Sequence, residues 1–190
     1  MWKSDEEIIA DYIAGNEKAF DELVSRYLHS VYNLSYALVR TEAEAEDVVQ
    51  ETFVKIWKNM EKFKPGNNFK SWLLTITRNT AYDYLRKRKH IPFSSFEDDT
   101  GNRLTESLAG NEPTAEELIM TEEEKSLVTR VLKKISPAYR EVLTLYYGEE
   151  LTFDEIGKIL KKPLNTVKSQ HRRALIELRK HIGIGESHKK

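Results

Sequence analysis

The chain has 190 residues, 39% hydrophobic and 32% charged, with a formal net charge of −1 and no cysteine. This is an ordinary globular composition with enough apolar material for one core or two small ones, and it excludes disulfides and thiolate metal sites. The acidic N-terminus lacks the apolar run of a signal peptide, and no stretch approaches the ~20 apolar residues of a membrane span, so a soluble cytoplasmic protein with no direct membrane insertion is expected.

Taken in chain order, the first third is acidic, with thirteen Asp/Glu against six Lys/Arg between Lys3 and Glu61. Ile8, Ile9, Tyr12 and Ile13 make a short helical stripe that Gly15-Asn16 ends. A second helix carries Phe20, Leu23, Val24, Tyr27, Val31, Leu34 and Leu38 at spacings of three and four. Thr41 with Glu44 three residues on predicts a capping box for a third helix. Its apolar residues are Ala45, Val48, Val49, Phe53, Ile56, Trp57 and Met60. Pro65-Gly66-Asn67-Asn68 breaks it, and a fourth helix runs from about Lys70 to Lys89. Here the charge reverses, with six basic residues and one acid, Asp83, between Lys70 and His90.

The stretch from Ile91 to Glu124 has ten acids and one base, Arg103, together with Pro92, Pro113, Gly101 and Gly110. It reads as a linker of roughly two dozen residues, too long for a loop inside a compact domain. Beyond it, a helix is predicted over about Thr121 to Ile135. Ser136-Pro137 then supplies an N-cap with proline at the first helical position, for a helix that runs to Tyr147 and stops at Gly148. Thr152 and Glu155 make another capping box, opening the helix with Ile156, Ile159 and Leu160, and Lys162-Pro163 turns the chain into a last helix. Eight bases and one acid, Glu177, lie between Lys158 and His181. A short helix, a tight turn and a longer basic helix are what a helix-turn-helix requires, and Gly157 would let its two helices cross closely. No segment shows strand alternation with hairpin turns, so the expected fold is all-α, in two small helical domains joined by a flexible linker. The expected bounds are 1–90 for the first domain, 91–120 for the acidic linker, 121–185 for the second domain and 186–190 for a disordered tail.

Two separate basic blocks in a nearly neutral chain are the electrostatic footprint of contact with nucleic acid at two places, the alternative being solvated basic surfaces. On the last helix, Val167, His171, Ala174, Leu175, Leu178 and Ile182 share an inward arc, with Thr166, Ser169 and Arg173 roughly opposite and Lys168 and Arg172 on the flank. In a major groove, Arg173 is placed to read guanine and Lys168 a base acceptor or a phosphate, with Arg179 and Lys180 further out. His171 reads as a boundary histidine. On the fourth helix, Leu73, Ile76, Thr80 and Tyr84 face inward. Thr75, Arg78, Asn79, Tyr82 and Arg86 lie on the other side, with Trp72 at the edge. Aromatics, an amide and arginines on one exposed face suit single-stranded bases; Trp72 and Tyr82 as plain core residues are the alternative.

Together these blocks resemble a family. "FKSWLLTITRNTAYDYLRKRK" resembles the promoter −10 segment of bacterial sigma factors of the extracytoplasmic-function (ECF) class of the sigma-70 family. "AEAEDVVQETFVKIWKN" resembles the same family's helix for binding RNA polymerase core, and "PAYREVLTLYYGEELTFDEIGKILKKPLNTVKSQHRRAL" its −35-reading helix-turn-helix. All three stand in the family's order and spacing, and cover nearly the whole chain outside the linker. The resemblance implies a sigma-2 and a sigma-4 domain and assigns roles by position. Lys70, Trp72, Arg78, Asn79, Tyr82, Arg86, Lys87, Arg88 and Lys89 would meet the melted −10 strand. The loop before Trp72 would hold a flipped base that Asn79 contacts. Thr166, Lys168, Ser169, Gln170, Arg172 and Arg173 would read the −35 duplex. Asp47, Gln50, Glu51, Val54 and Trp57 would meet the core polymerase, whose clamp helices and flap belong to its large subunits. An anti-sigma factor is a further implied partner. The chain departs from the family pattern at Asn165, where glycine is usual and where left-handed geometry is tolerated, at Gln170 and at His171.

The function expected is a transcription initiation factor that directs core polymerase to −10/−35 promoters and stabilises the melted −10 strand. A stand-alone helix-turn-helix regulator is the alternative, but it leaves the acidic helix and Trp72 to Asn79 without a role. A metal hydrolase built on Glu44, Glu46, Asp47 and Glu51 lacks histidine companions. The five histidines show no ligand spacing and no Gly-rich phosphate loop is present, so no enzyme activity, cofactor, metal or small-molecule substrate is expected.

Overall fold

The computed structural model describes residues 3–64, 66–89, 132 and 134–182. The expected linker at 91–120, most of the helix expected over 121–135 and the tail at 186–190 lie outside the described residues. Among the described residues there is no strand, in agreement with the all-α expectation.

Helix α1 (Asp5–Ile13) starts where Ser4 and Glu7 satisfy each other's backbone. The Glu7 N–H donates to Ser4 Oγ at 3.2 Å and the Ser4 N–H donates to Glu7 Oε2 at 2.7 Å. Three acids in the first turn complement the positive end of the helix dipole. Asp5 also pins α1 to α2 (Lys18–Val39), since Arg26 Nη1 lies 2.6 Å from its carboxylate and the Tyr27 hydroxyl donates to its other oxygen. Helix α2 ends on Arg40 in the left-handed region at φ 79, and α3 (Glu42–Asn59) begins directly after. Thr41 caps α3 as predicted, its Oγ1 accepting the Glu44 N–H, but the carboxylate of Glu44 pairs with Arg88 on α4 (Phe69–Lys89). Half of the predicted capping box is thus diverted to a tertiary contact. Helix α4 starts at Asn68, whose Oδ1 accepts the Ser71 N–H at 2.9 Å. Ile8, Leu23, Val31, Val49, Ile56, Met60, Phe69 and Leu73 form the core of these four helices.

The C-terminal helices are shorter. Helix α5 (Pro137–Leu143) is capped by Ser136 and has Pro137 in its first turn, as expected, but passes after Leu143 into a π turn over Thr144–Gly148. Helix α6 (Phe153–Leu160) opens with the complete Thr152/Glu155 capping box. Lys161 makes the turn into α7 (Leu164–Ile182) in the left-handed region, at φ 55 and ψ 43. The left-handed tolerance expected of Asn165 is not used: Asn165 is helical, and the φ > 0 position falls four residues earlier. Ile135, Tyr139 and Leu143 pack on Ala174 of α7.

The two sets of helices meet in a shared core. Leu34, Leu38, Val48, Leu74, Ala81, Tyr82 and Leu85 from the first set are continuous with Val142, Leu145, Leu151, Ile156, Ile159, Leu160 and Val167 from the second. Helix α4 is therefore buried on two sides. The helical-wheel reading allowed it one, because a wheel shows which residues share a face and not how many neighbours press on the helix.

Gly157 performs the close crossing expected of it. A Cβ there would stand 2.9 Å from the Lys162 carbonyl oxygen, and the Lys162 N–H is itself bonded to Gly157 O at 2.9 Å. Gly157→Ala is expected to cost about 1–3 kcal/mol in chemical denaturation, the usual penalty of overpacking against backbone. Gly148→Ala, whose added methyl would meet only Thr144 Cγ2 at 3.7 Å, is expected to change stability by less than about 0.5 kcal/mol.

Candidate polymerase and nucleic-acid interfaces

Three surfaces carry the residues singled out above. The first is the outer face of α3. Asp47, Gln50, Val54 and Trp57 recur at intervals of three and four, and all four are exposed. Trp57 is 54% exposed and Val54 47%. Trp57, one of the apolar residues of α3 and, by the resemblance, one of those expected to meet the core polymerase, points outward. Two large apolar side chains in water beside an acid and an amide are the makings of a protein-binding face. Glu51 is half-buried and paired with Lys55 at 2.9 Å, while Asp47 accepts a hydrogen bond from the Tyr84 hydroxyl at 3.2 Å.

The second surface is α4 with the loop before it. Trp72 lies between Phe63 and Phe69, its ring 5.2 and 5.8 Å from theirs, and its edge lines a cleft of about 590 Å³ with Gly66, Asn67, Asn68, Ser71 and Thr75. Gly66 is left-handed at φ +83, which leaves the loop backbone open to close approach. Glu155, Lys158 and Ile159 of α6 form the far wall of the cleft. Asn79, Arg86, Lys87 and Arg88 are exposed, Arg86 turning back to Asp83 at 2.9 Å and Arg88 to Glu44. Lys89 is the last residue of α4.

Arg78 and Tyr82 correct the expectation of one exposed face. Arg78 is 9% exposed and Tyr82 5%, and both turn towards Glu141 of α5. Arg78 Nε lies 2.7 Å from Glu141 Oε1, the Tyr82 hydroxyl donates to Oε2 at 3.1 Å, and the guanidinium stacks over the Tyr82 ring at 4.7 Å. Burial pushes the Glu141 carboxyl up, and Arg78 and Tyr82 pull it back down. Burial, and then the charge of Glu141, raise the Tyr82 hydroxyl well above its ordinary range. Lys70 is drawn the same way, its Nζ lying 3.0 Å from the carboxylate of Glu149 and 2.9 Å from its carbonyl oxygen. Glu141 and Glu149 are functional candidates that sequence reasoning missed. The available signal was slight: Glu141 stands among apolar residues inside a short helix, and Glu149 directly follows its end.

The third surface is the outer side of α7. Thr166, Lys168, Ser169 and Arg172 are exposed and Arg173 half-buried. Gln170 departs from the expectation. It is buried on the same side as Val167, His171 and Ala174, so it is part of the packing arc. His171 is buried as expected, its ring centroid 4.7 Å from Tyr146 and 5.1 Å from Phe153. Among the described residues, no three His, Asp or Glu side chains converge as metal ligands, and no helix is long and apolar enough to cross a membrane.

Comparison with known proteins accounts for this arrangement. Residues 23–91 match Sigma-70 region 2 and residues 131–180 match Sigma-70, region 4. The chain is 32% identical over 178 residues to the ECF RNA polymerase sigma-E factor of Escherichia coli strain K12, covering 90% of each chain. It is 30% identical over 170 residues to the ECF RNA polymerase sigma factor SigW of Bacillus subtilis strain 168, covering 88% of this chain and 91% of SigW. The fold is similar to that of CnrH in complex with the cytosolic domain of CnrY, with a TM-score of 0.68 at 22% identity over 97% of this chain and all of that one. It is also similar to the sigma factor RpoE in complex with the anti-sigma factor NepR from Bartonella quintana, with a TM-score of 0.66 at 26% identity over 89% and 99%. The chain belongs to the ECF sigma factors of the sigma-70 family.

The geometry separates two neighbouring residues of α4. Arg78→Ala leaves Glu141 buried without its charge partner and is expected to cost about 3–5 kcal/mol in urea denaturation. Asn79→Ala, at an exposed position, is expected to stay within about 0.5 kcal/mol of the parent.

Proposed function

We propose that this chain, an RNA polymerase-associated transcription initiation factor, divides its work among the three surfaces. The outer face of α3, through Asp47, Gln50, Glu51, Val54 and Trp57, docks on the polymerase core at its clamp helices. An acidic face with one exposed indole suits a basic, partly apolar partner. The α7 face reads the −35 duplex with Thr166, Lys168, Ser169, Arg172 and Arg173, the C-terminal domain resting on the polymerase flap. The α4 face takes the melted −10 strand. The cleft at Trp72 receives a flipped base, Asn79 reads its edge, and Lys70, Arg86, Lys87, Arg88 and Lys89 meet backbone phosphate. The observation that carries the reading is the co-occurrence of region 2 and region 4 with an exposed α3 face ahead of their two basic helices.

The finer readings follow from the same division. The sigma-2 domain occupies 1–90, the linker 91–120 and the sigma-4 domain 121–185, and the linker lets two weakly binding domains act together by effective concentration. The family is not a family of enzymes, and this chain needs no catalytic group, cofactor or metal, since it contributes binding energy to a reaction carried out by the core. It works in the cytoplasm, where promoter DNA is. The NepR complex of its Bartonella quintana relative motivates a partner of the same kind for this chain, an anti-sigma factor.

Purified core polymerase with and without the chain, transcribing fragmented genomic DNA with the transcript 5′ ends sequenced, tests the reading. New start sites sharing −10 and −35 elements are expected. A chain that binds duplex DNA alone and never moves the starts chosen by core overturns it. In the same assay, Asn79→Ala is expected to weaken −10 selectivity with core affinity unchanged. Equal loss of core binding would make Asn79 structural. Arg173→Ala is expected to lose about 1–3 kcal/mol of discrimination at its −35 base pair.

A further inference from the structure

His171 is buried in α7 at 9% exposure, and three aromatic rings lie against it. Its ring centroid stands 4.7 Å from that of Tyr146 at an interplanar angle of 53°, 5.1 Å from Phe153 at 66° and 5.6 Å from Tyr147 at 33°. The three are locked to one another. Tyr146 stacks on Phe153 at 4.7 Å and 16°, and Tyr147 meets Tyr146 edge-on at 4.9 Å. Tyr146 and Tyr147 belong to the π turn over Thr144–Gly148, whose wider winding lets consecutive residues reach the same ring. Buried Leu145 anchors that turn, and Phe153 opens α6. On the same arc of α7, Val167 and Ala174 are small and aliphatic. Contacts of that kind hold the helix down without fixing its rotation, whereas ring pairs have preferred angles.

We propose that His171 is a positioning residue for −35 reading: held in its box of rings, it fixes the roll of α7 about its own axis and so aims Lys168 and Arg172. This rests on the assignment of α7 to the −35 duplex made above. Lys168 stands one turn before His171 and Arg172 directly after it, both exposed, so the box and the readers share a single turn of helix. A side-chain tip ~6 Å from the helix axis moves ~2 Å sideways for a roll of ~20°. Base-edge hydrogen bonds do not survive such a shift, while the longer-ranged attraction to phosphate does. The box therefore acts on selectivity among duplexes more than on affinity for duplex DNA. His171 is one of the positions at which this chain departs from its family's pattern. It touches no DNA itself and acts through its neighbours on the helix.

The test is a duplex library randomised at the −35 element, with the −10 element fixed from mapped start sites, bound by the full chain on core polymerase and sequenced. His171→Leu keeps apolar bulk and removes the ring. It is expected to lose about tenfold of the discrimination at the base pairs next to Lys168 and Arg172. Its binding of the pooled library is expected to stay within about twofold of the parent. His171→Phe, which restores a ring, is expected to match the parent in both. Tyr146→Leu, which leaves α7 untouched, is expected to reproduce the loss of His171→Leu, and the double variant to lose no more than either alone. Unchanged discrimination in His171→Leu overturns the proposal. A loss shared equally by every sequence also overturns it, by making His171 a plain core residue, as does a Phe variant that fails like Leu. If His171→Leu loses helicity by circular dichroism, Tyr146→Leu against Tyr146→Phe decides by the same criteria. Arg172→Ala separates this from failure of the −35 reading. If that variant keeps the parent's −35 preference, α7 does not read the duplex and both readings fall. If it loses the preference while His171→Leu does not, only the positioning role falls.

Discussion

Arg78 and Glu141 meet at 2.7 Å with both side chains nearly out of water, and the arrangement of the two domains turns on that contact. A charge held in the interior without a partner costs several kcal/mol, so α4 and α5 each supply what the other could not keep buried alone. Around the pair lies the apolar seam, where each fully buried Leu, Ile or Val contributes about 1.5–3 kcal/mol relative to exposure. The seam provides attraction without direction. The Arg78–Glu141–Tyr82 cluster provides register, since a shift of α5 along α4 would leave buried hydrogen-bonding groups unmet.

Charge is segregated along the chain. The outer face of α3 is acidic, and bases gather at the end of α4 and on the outside of α7. Near-neutrality is the sum of these blocks and describes none of them. Glu141 and Glu149 are buried acids that face inward to the cations of α4.

Local features were legible because the interactions that make them span three or four residues. Ser136-Pro137 and the Thr152/Glu155 box start helices where the sequence places them. The short helix, turn and basic helix of α6 and α7 stand as predicted, with Gly157 at their crossing. Errors arose where a distant group competed. Glu44 has the spacing for a capping box, but Arg88 on another helix takes its carboxylate. The glycine-like turn falls at Lys161 because Pro163 opens α7 early enough to make Asn165 helical; the N–H groups of Thr166 and Val167 both donate to the Pro163 carbonyl. Gln170 was assigned to the reading face from its place in a motif, although its angular position is only 60° from Val167 on a ~100° wheel.

The sequence by itself determined most of the described helices and the Ser136 and Thr152/Glu155 caps, because these depend on periodicity and spacing within single segments. It also placed Asn79, Lys168 and Arg172 on exposed helix faces, where a wheel suffices. Only the tertiary structure decided that Gln170 packs, and that Arg78, Tyr82 and Lys70 are held by Glu141 and Glu149. The contacts Arg78–Glu141 and Lys70–Glu149 join residues 63 and 79 positions apart. No periodicity within a helix encodes such a pairing. It follows from α4 having two buried sides, and the second exists only once the C-terminal helices have docked.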